Sequence, residues 1–254
     1  MRKVTMAITA LSVPALLFLF ACGRTEPDSS VAPPLLPDTT LVLIAEYVTS
    51  VPEPSGLAYH SGNNTLWTVS DGNSTVYEMD FRGNVLRSFV IQNIDLEGIA
   101  LTSRGDTMLI ADEVNKQIAT YRTTGMKLST FGVNVATVSN NALEGVAVGR
   151  NNRIFVLNEK LPRMLLEFAG GVEVARTEIT AAADLSDVCY DSVGDCLWII
   201  SDESQKVLKC TTAGAVLAEY GIAFTKGEGI AVVGNRIYIV NDANGKLYVY
   251  NKPQ

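Results

Sequence analysis

One pattern recurs five times between residues 54 and 251, and a chain written in such copies has little freedom in how it folds. The copies open with Pro54-Ser55-Gly56-Leu57-Ala58, Leu96-Glu97-Gly98-Ile99-Ala100, Leu143-Glu144-Gly145-Val146-Ala147, Leu185-Ser186-Asp187-Val188-Cys189 and Gly227-Glu228-Gly229-Ile230-Ala231. Gly56, Gly98, Gly145, Asp187 and Gly229 are spaced by 42, 47, 42 and 42 residues. A second column, Asp71, Asp112, Asn158, Asp202 and Asp242, follows 13 to 15 positions later in each copy. In the first copy, residues 56–59, 65–70, 75–80 and 85–91 are apolar or alternating and are separated by Gly/Asn-rich turns, the text of four short strands. Four strands per period near 42 make one propeller blade.

The fifth copy stops at Tyr250 after three strands, which leaves an open edge. Leu41 to Val48 reads as the missing strand, because its Ala45-Glu46-Tyr47 mirrors Ala218-Glu219-Tyr220 in the preceding blade. The expectation is an all-β fold, a five-bladed β-propeller over residues 40–252 with the N-terminal strand closing the last blade. Glycine opens the inner strands because a Cβ would obstruct five strands crowding one axis.

Residues 1–21 carry Arg2, Lys3 and an apolar run, the pattern of a signal peptide. Leu19-Phe20-Ala21-Cys22 resembles a bacterial lipobox, so Cys22 is the expected lipidation site and the mature N-terminus. Several acyl chains on one cysteine anchor a protein stably without a transmembrane helix. Gly23 favours the outer membrane, and residues 22–39, rich in Pro, Ser and Asp, read as an extended tether. The expected location is the cell envelope, with the membrane as first partner.

The whole chain has 20 basic and 27 acidic residues, a net charge of -7; removing Arg2 and Lys3 with the leader leaves 18 against 27, or -9. That balance opposes the phosphate neutralisation that nucleic-acid binding requires. His60 is the single histidine, so a His-rich zinc site is excluded and any Ser-His-Asp triad would depend on it. It reads as a solvated turn neighbour, and Trp67 and Trp198, at matching places in blades one and four, read as blade packing. The three cysteines left after Cys22 are an odd number and read as buried free thiols. No EF-hand loop, P-loop or G-x-S-x-G elbow occurs.

Antiparallel strands bring the start of each inner strand and the end of each second strand to one rim. There the axial column reads Ser55, Glu97, Glu144, Ser186, Glu228, beside the Asp/Asn column with Glu113, Glu159 and Glu203 after it. Such a ring of carboxylates either captures a hard cation through oxygen ligands or is neutralised by bases. Lys116, Arg163, Lys206 and Lys246 open the third strands at this rim and are the candidate bases, in which case the acids are turn caps and salt bridges.

The phrases PSGLAY, LEGIAL, LEGVAV and GEGIAV, each followed by a strand and then SDG, ADE, LNEK or NDA, resemble the SdiA-regulated (YjiK-type) propeller family of bacterial envelope proteins. The resemblance implies calcium as the bound ion and similarity in architecture to calcium-dependent phytase-like propellers. The positions that match are Glu97, Glu144, Glu228, Asp112-Glu113, Asn158-Glu159 and Asp202-Glu203, which makes these acids the candidate metal ligands. Blade one departs at Ser55 and Asp71-Gly72, and blade four at Ser186-Asp187. The leading expectation is a monomeric, calcium-binding lipoprotein propeller that serves as a binding module for a small anionic ligand or an envelope protein. The alternative is a calcium-dependent phosphoesterase with Lys116, Lys160, Arg163 or Lys206 on the phosphate, and a third reading is a structural scaffold.

Overall fold

In a computed structural model of the chain, residues 39–91, 95–136 and 141–254 are described. Cys22, the leader and the tether as far as residue 38 lie outside the described residues. Five sheets are arranged as the repeat requires. Blade one runs from its inner strand Pro54–His60 through Thr65–Ser70 and Thr75–Met79 to the outer strand Val85–Val90. Blades two, three and four repeat this order from inner strands Leu96–Leu101, Leu143–Val148 and Asp187–Asp191.

Blade five contributes Gly227–Val233, Arg236–Asn241 and Lys246–Asn251, and Leu43–Val48 completes it antiparallel to the last of these, with Tyr47 opposite Leu247 and Val48 opposite Lys246. The repeat equivalence extends to the side chains. Lys246 pairs with Glu46 at 2.8 Å across this seam, as Lys206 pairs with Glu219 at 2.8 Å within blade four. The closing strand is shorter than residues 41–48. Thr39–Thr40 instead adds a short parallel strand to Tyr220–Gly221, and Leu41 is buried between blades four and five against Trp198, Tyr220 and Tyr250.

The core lies between the blades. One apolar cluster joins blade one to blade two through Trp67, Val69, Leu96 and Ile110; equivalents join the other neighbouring pairs, the last uniting Leu57 and Leu66 with Val240 and Leu247. Second strands are covered on both faces, so TLWTVS and CLWIIS are buried at every position and read as apolar runs rather than alternation. Trp67 and Trp198 have no exposed surface, and truncating either to Ala would cost about 3–5 kcal/mol. His60 is not a solvated turn residue. Its Nδ1 accepts from the Asn63 N–H at 3.0 Å and its Nε2 donates to the Gly105 carbonyl at 2.8 Å, so the buried ring ties blade one to blade two above Trp67.

The inner strands meet in a girdle of close backbone contacts. A Cβ on Gly98 would stand 2.2 Å from the Glu144 carbonyl oxygen, one on Gly145 2.7 Å from the Asp187 Cα, and one on Gly229 2.6 Å from the Gly56 carbonyl carbon. Gly56 also has φ +58°, which an L side chain resists. Blade four breaks the rule with Asp187, whose carboxylate crosses the axis and accepts from the Leu57 N–H of blade one at 3.0 Å and the Ile230 N–H of blade five at 2.9 Å. Blade four also pairs without the register shift that the other inner strands show at this level.

Candidate functional site

On one side of the girdle lies a cavity of about 560 Å3. The residue preceding each girdle position, Ser55, Glu97, Glu144, Ser186 and Glu228, is on its wall. Among the described residues twelve carboxylates and two lysines line it. Of the candidate ligands, Glu97, Glu144, Glu228, Glu113, Glu159, Asp202 and Glu203 are on the lining. Asp112 is a correction: it is fully buried outside the cavity, where its oxygens accept from Asn115 and from Gln117 Nε2 at 2.7 Å and so cap the turn that follows its own strand. Asn158 is likewise buried, donating to the carbonyls of Lys160 and Pro162.

The acids on the lining divide by employment. Glu113 accepts from the Ala142 N–H at 2.9 Å and Asp202 accepts from the Lys226 N–H, so each fastens the entry of the next inner strand. Asp184 takes the Ser201 hydroxyl and the Asp202 and Glu203 amides. Glu97, by contrast, has among the described residues only the Ser55 hydroxyl at 3.0 Å, and one oxygen each from Asp71, Asp95 and Glu97 lie within 4.8 Å of one another. No Lys or Arg among the described residues reaches ion-pair distance of these three.

The bases expected to neutralise the ring are elsewhere. Lys206 and Lys246 turn outward to Glu219 and Glu46, Arg163 donates to the Ala182 carbonyl, and Lys116 is absent from the lining. A third strand lies beside the outer strand, so its first side chain finds partners there. The resident cations are Lys160, 2.6 Å from Glu159 and 2.8 Å from Glu203, and Lys226, 3.5 Å from Asp202 and 3.4 Å from Glu228.

The electrostatics follow from this shortage. Burial first, then the charge of Asp71, pushes Glu97 up to about 9 against the help of Ser55. Burial, Asp71 and Glu113 push Asp95 up to about 6, and Asp95 shares a hydrogen bond with Asp71. Burial and then Glu97, Glu159 and Glu228 hold Glu144 well above the carboxylate range, and burial raises Glu228 to about 7 although Lys226 opposes the rise. Such a wall holds protons that a divalent cation would displace.

Five lining acids were not among the candidate ligands: Asp184 and Asp242, and three that form the carboxylate cluster or mark the break in the repeat. Asp71 stood in the second column but in a blade that broke the pattern. Asp95 precedes the repeat motif and has no counterpart in register. Glu53 explains the break itself: a Cβ on Gly72 would lie 1.7 Å from the Glu53 Oε2, so glycine replaces the repeat glutamate and Glu53 fills its place.

Past the girdle the inner strands continue with Ala58, Ala100, Ala147, Cys189 and Ala231 and line a second cavity of about 440 Å3 on the opposite face. The girdle residues belong to neither lining. Cys196 and Cys210 are buried free thiols as expected, whereas the free thiol of Cys189 is only half-buried, and burial raises all three.

Solved structures similar to this chain are propeller proteins. A catalytically inactive virginiamycin B lyase from Staphylococcus aureus with quinupristin is 16% identical with a TM-score of 0.52, over 78% of this chain and 66% of the lyase. A chain of the nidogen/laminin complex is 12% identical with a TM-score of 0.58, over 78% of this chain and 76% of its own length. A gluconolactonase from Xanthomonas campestris is 12% identical with a TM-score of 0.53, over 85% of this chain and 98% of the enzyme. At these identities the likeness carries the fold alone. The SdiA-regulated family model matches residues 34–254, the stretch that contains the girdle, the axial glutamates and the closing strand, and the chain therefore belongs to the SdiA-regulated family.

Proposed function

We propose that the protein is a lipid-anchored binding module of the cell envelope whose acidic mouth holds a divalent cation, calcium first, between Asp71, Asp95 and Glu97. The observation that carries this reading is the convergence of three carboxylates with no base among the described residues to neutralise them. The donor set fits the ion: the lining offers hard oxygen ligands and neither imidazole nor thiol, a combination suited to calcium, magnesium or manganese. Carboxylates drawn from separate elements suit the irregular six- to eight-oxygen shell of calcium better than a strict octahedron. With the ion bound, its open coordination positions can take an oxygen ligand from a small anion or from an envelope partner.

The test is a calcium titration followed by thermal melting. A cation that binds only the folded state adds about 2.7 kcal/mol at a hundredfold excess over its dissociation constant. Glu97→Gln and Asp95→Asn should each weaken the response, and magnesium should be the poorer ligand. A wild-type melt indifferent to millimolar calcium overturns the reading. The phosphoesterase alternative draws on Lys160 and Lys226 beside the same carboxylates. Release of phosphate from an inositol phosphate only when calcium is present would favour it.

The anchor has its own test. Cys22→Ser should abolish labelling by a fatty-acid probe and move the protein to the soluble fraction. Unchanged membrane fractionation would reject lipidation as the means of attachment.

A further inference from the structure

The cavity on the face opposite the carboxylates has a different composition for a protein with so acidic a chain. After the small residues beyond the girdle, each inner strand carries one larger apolar side chain to the rim: Tyr59, Leu101, Val148, Tyr190 and Val232. All five are half-buried. Each packs sideways against an inter-blade core and keeps part of its surface on the cavity. Core packing accounts for the buried part. It does not account for all five blades exposing the rest around one opening, when the other opening of the same strands carries three glutamates and two serines.

The charged groups and the tyrosine hydroxyls of this wall are already engaged. Arg150 donates to the Ser192 carbonyl at 3.1 Å and faces Asp195 at 3.6 Å. Asp191 holds Lys252 at 2.7 Å and accepts from the Val193 and Gly194 amides. The hydroxyls of Tyr59 and Tyr190 donate to Asn64 and Asp195. A charged ligand would find no uncommitted counter-ion, whereas an apolar one would cover exposed apolar surface and disturb none of these bonds. The volume lies in the range of small-molecule sites, roughly 300–1,000 Å3.

We propose that this mouth is a binding site for an uncharged, largely apolar small molecule of about two to three rings or an equivalent chain, separate from the acidic mouth and independent of its cation.

A matched pair of dyes tests the proposal on the full chain. N-phenyl-1-naphthylamine is uncharged, and 8-anilinonaphthalene-1-sulfonate is the same skeleton with an anionic group. The uncharged dye should give a saturable, one-to-one rise in fluorescence, and the sulfonate should bind at least tenfold more weakly. Leu101→Glu and Val232→Glu place a charge on the half-exposed rim and should each weaken the uncharged dye at least tenfold. Leu128→Glu, on an exposed outer strand, should leave binding unchanged. A measurement on the unaltered protein covers the case in which a rim variant fails to fold: the dye should slow the reaction of Cys189 with methyl methanethiosulfonate, read by peptide mass. The site is rejected if fluorescence does not saturate, if the sulfonate binds equally, if Leu128→Glu causes the same loss, if Cys189 is unprotected, or if the dye signal tracks a dimer in sedimentation.

Discussion

The two mouths of the ring are built by the same five strands, a few residues apart along each, and they have opposite chemistry. One step before the girdle the side chains are Ser55, Glu97, Glu144, Ser186 and Glu228; one step after it Leu57, Ile99, Val146, Val188 and Ile230 are buried against neighbouring blades. The acidic mouth concentrates like charge in a partly desolvated space and so calls for counter-ions or protons. The apolar mouth has its few charges paired. Glycine in four blades lets the backbones close to a tight collar, which keeps the two environments apart. Asp187 supplies in the fourth blade what glycine cannot, a side chain that reaches across the axis and bonds two strands it does not adjoin in sequence.

The largest effect is expected where the mouths are separated. Asp187 has no exposed surface, and burial above all holds its carboxyl well above the ordinary range, with the charge of Glu228 adding to the rise. Asp187→Ala leaves the Leu57 and Ile230 amides buried without an acceptor, at about 1–3 kcal/mol each. The melting temperature should fall by about 10 °C. Asp187→Asn keeps the acceptor and resembles the neutral acid, and should cost less than about 1 kcal/mol. Equal melting of Asp187→Ala and the parent would show that the girdle holds without its cross-axis bonds.

A smaller effect separates the mouths by pH. Glu97 at about 9, Glu228 at about 7 and Asp95 at about 6 all lie above their ordinary values, so the folded protein retains protons that the unfolded chain releases. Their stabilisation is complete below the unfolded values, near pH 4, and is lost as pH rises through 6, 7 and 9. The cation-free protein should therefore melt lower at pH 9 than at pH 5, by about 5 °C after allowance for solvent screening. Glu78 and Asp191 act in the other sense. Burial would raise them, but their bonds to Arg87 and Lys252 hold them below the ordinary values, so their contribution is lost only on the acid side of this window. Glu97→Gln should flatten the profile and raise the melt at pH 8, and saturating calcium should flatten the profile of the parent. A cation-free melt that stays level or rises between pH 6 and 9 would contradict the crowding of charge.

Most of the fold was legible because the repeat is redundant. A period of 42, the inner-strand glycine and the echo of Ala218-Glu219-Tyr220 in Ala45-Glu46-Tyr47 each pointed to the same closed ring, and that echo survives as two equivalent ion pairs. The acidic mouth was legible as a rim but not as a set of contacts. Register assigned Asp112 to it, yet register fixes only the end of a strand, and the side chain there capped its own turn. The counter-ions were misread for a related reason: third strands adjoin outer strands, so Lys206 and Lys246 were spent there, whereas Lys160 and Lys226 come from connections that no repeat predicts. Glu53 could have been found from Gly72, since the loss of a repeat glutamate beside an acidic rim signals a substitute arriving from another segment.

The smallest effect tests whether resident lysines and an added cation compete for the same carboxylates. Lys226 spans Asp202 and Glu228 at 3.5 and 3.4 Å with about half of its side chain in water, 51% exposed, so solvent screens the pair. Removing its charge with Lys226→Gln should lower the cation-free stability by no more than about 1 kcal/mol. Lys206→Gln, which breaks the ion pair with Glu219 away from the cavity, should cost a similar amount. The two variants should part company when calcium is added. Loss of a positive charge from the acidic mouth strengthens its field at every other carboxylate there, and a doubly charged ion feels that change twice over. Lys226→Gln should therefore bind calcium about three- to tenfold more tightly than the parent, in a titration followed by melting temperature, while Lys206→Gln should match the parent. If both variants respond to calcium alike, the lysines are ordinary surface partners of their acids, and the deficit of positive charge in the mouth is not what draws a cation to it.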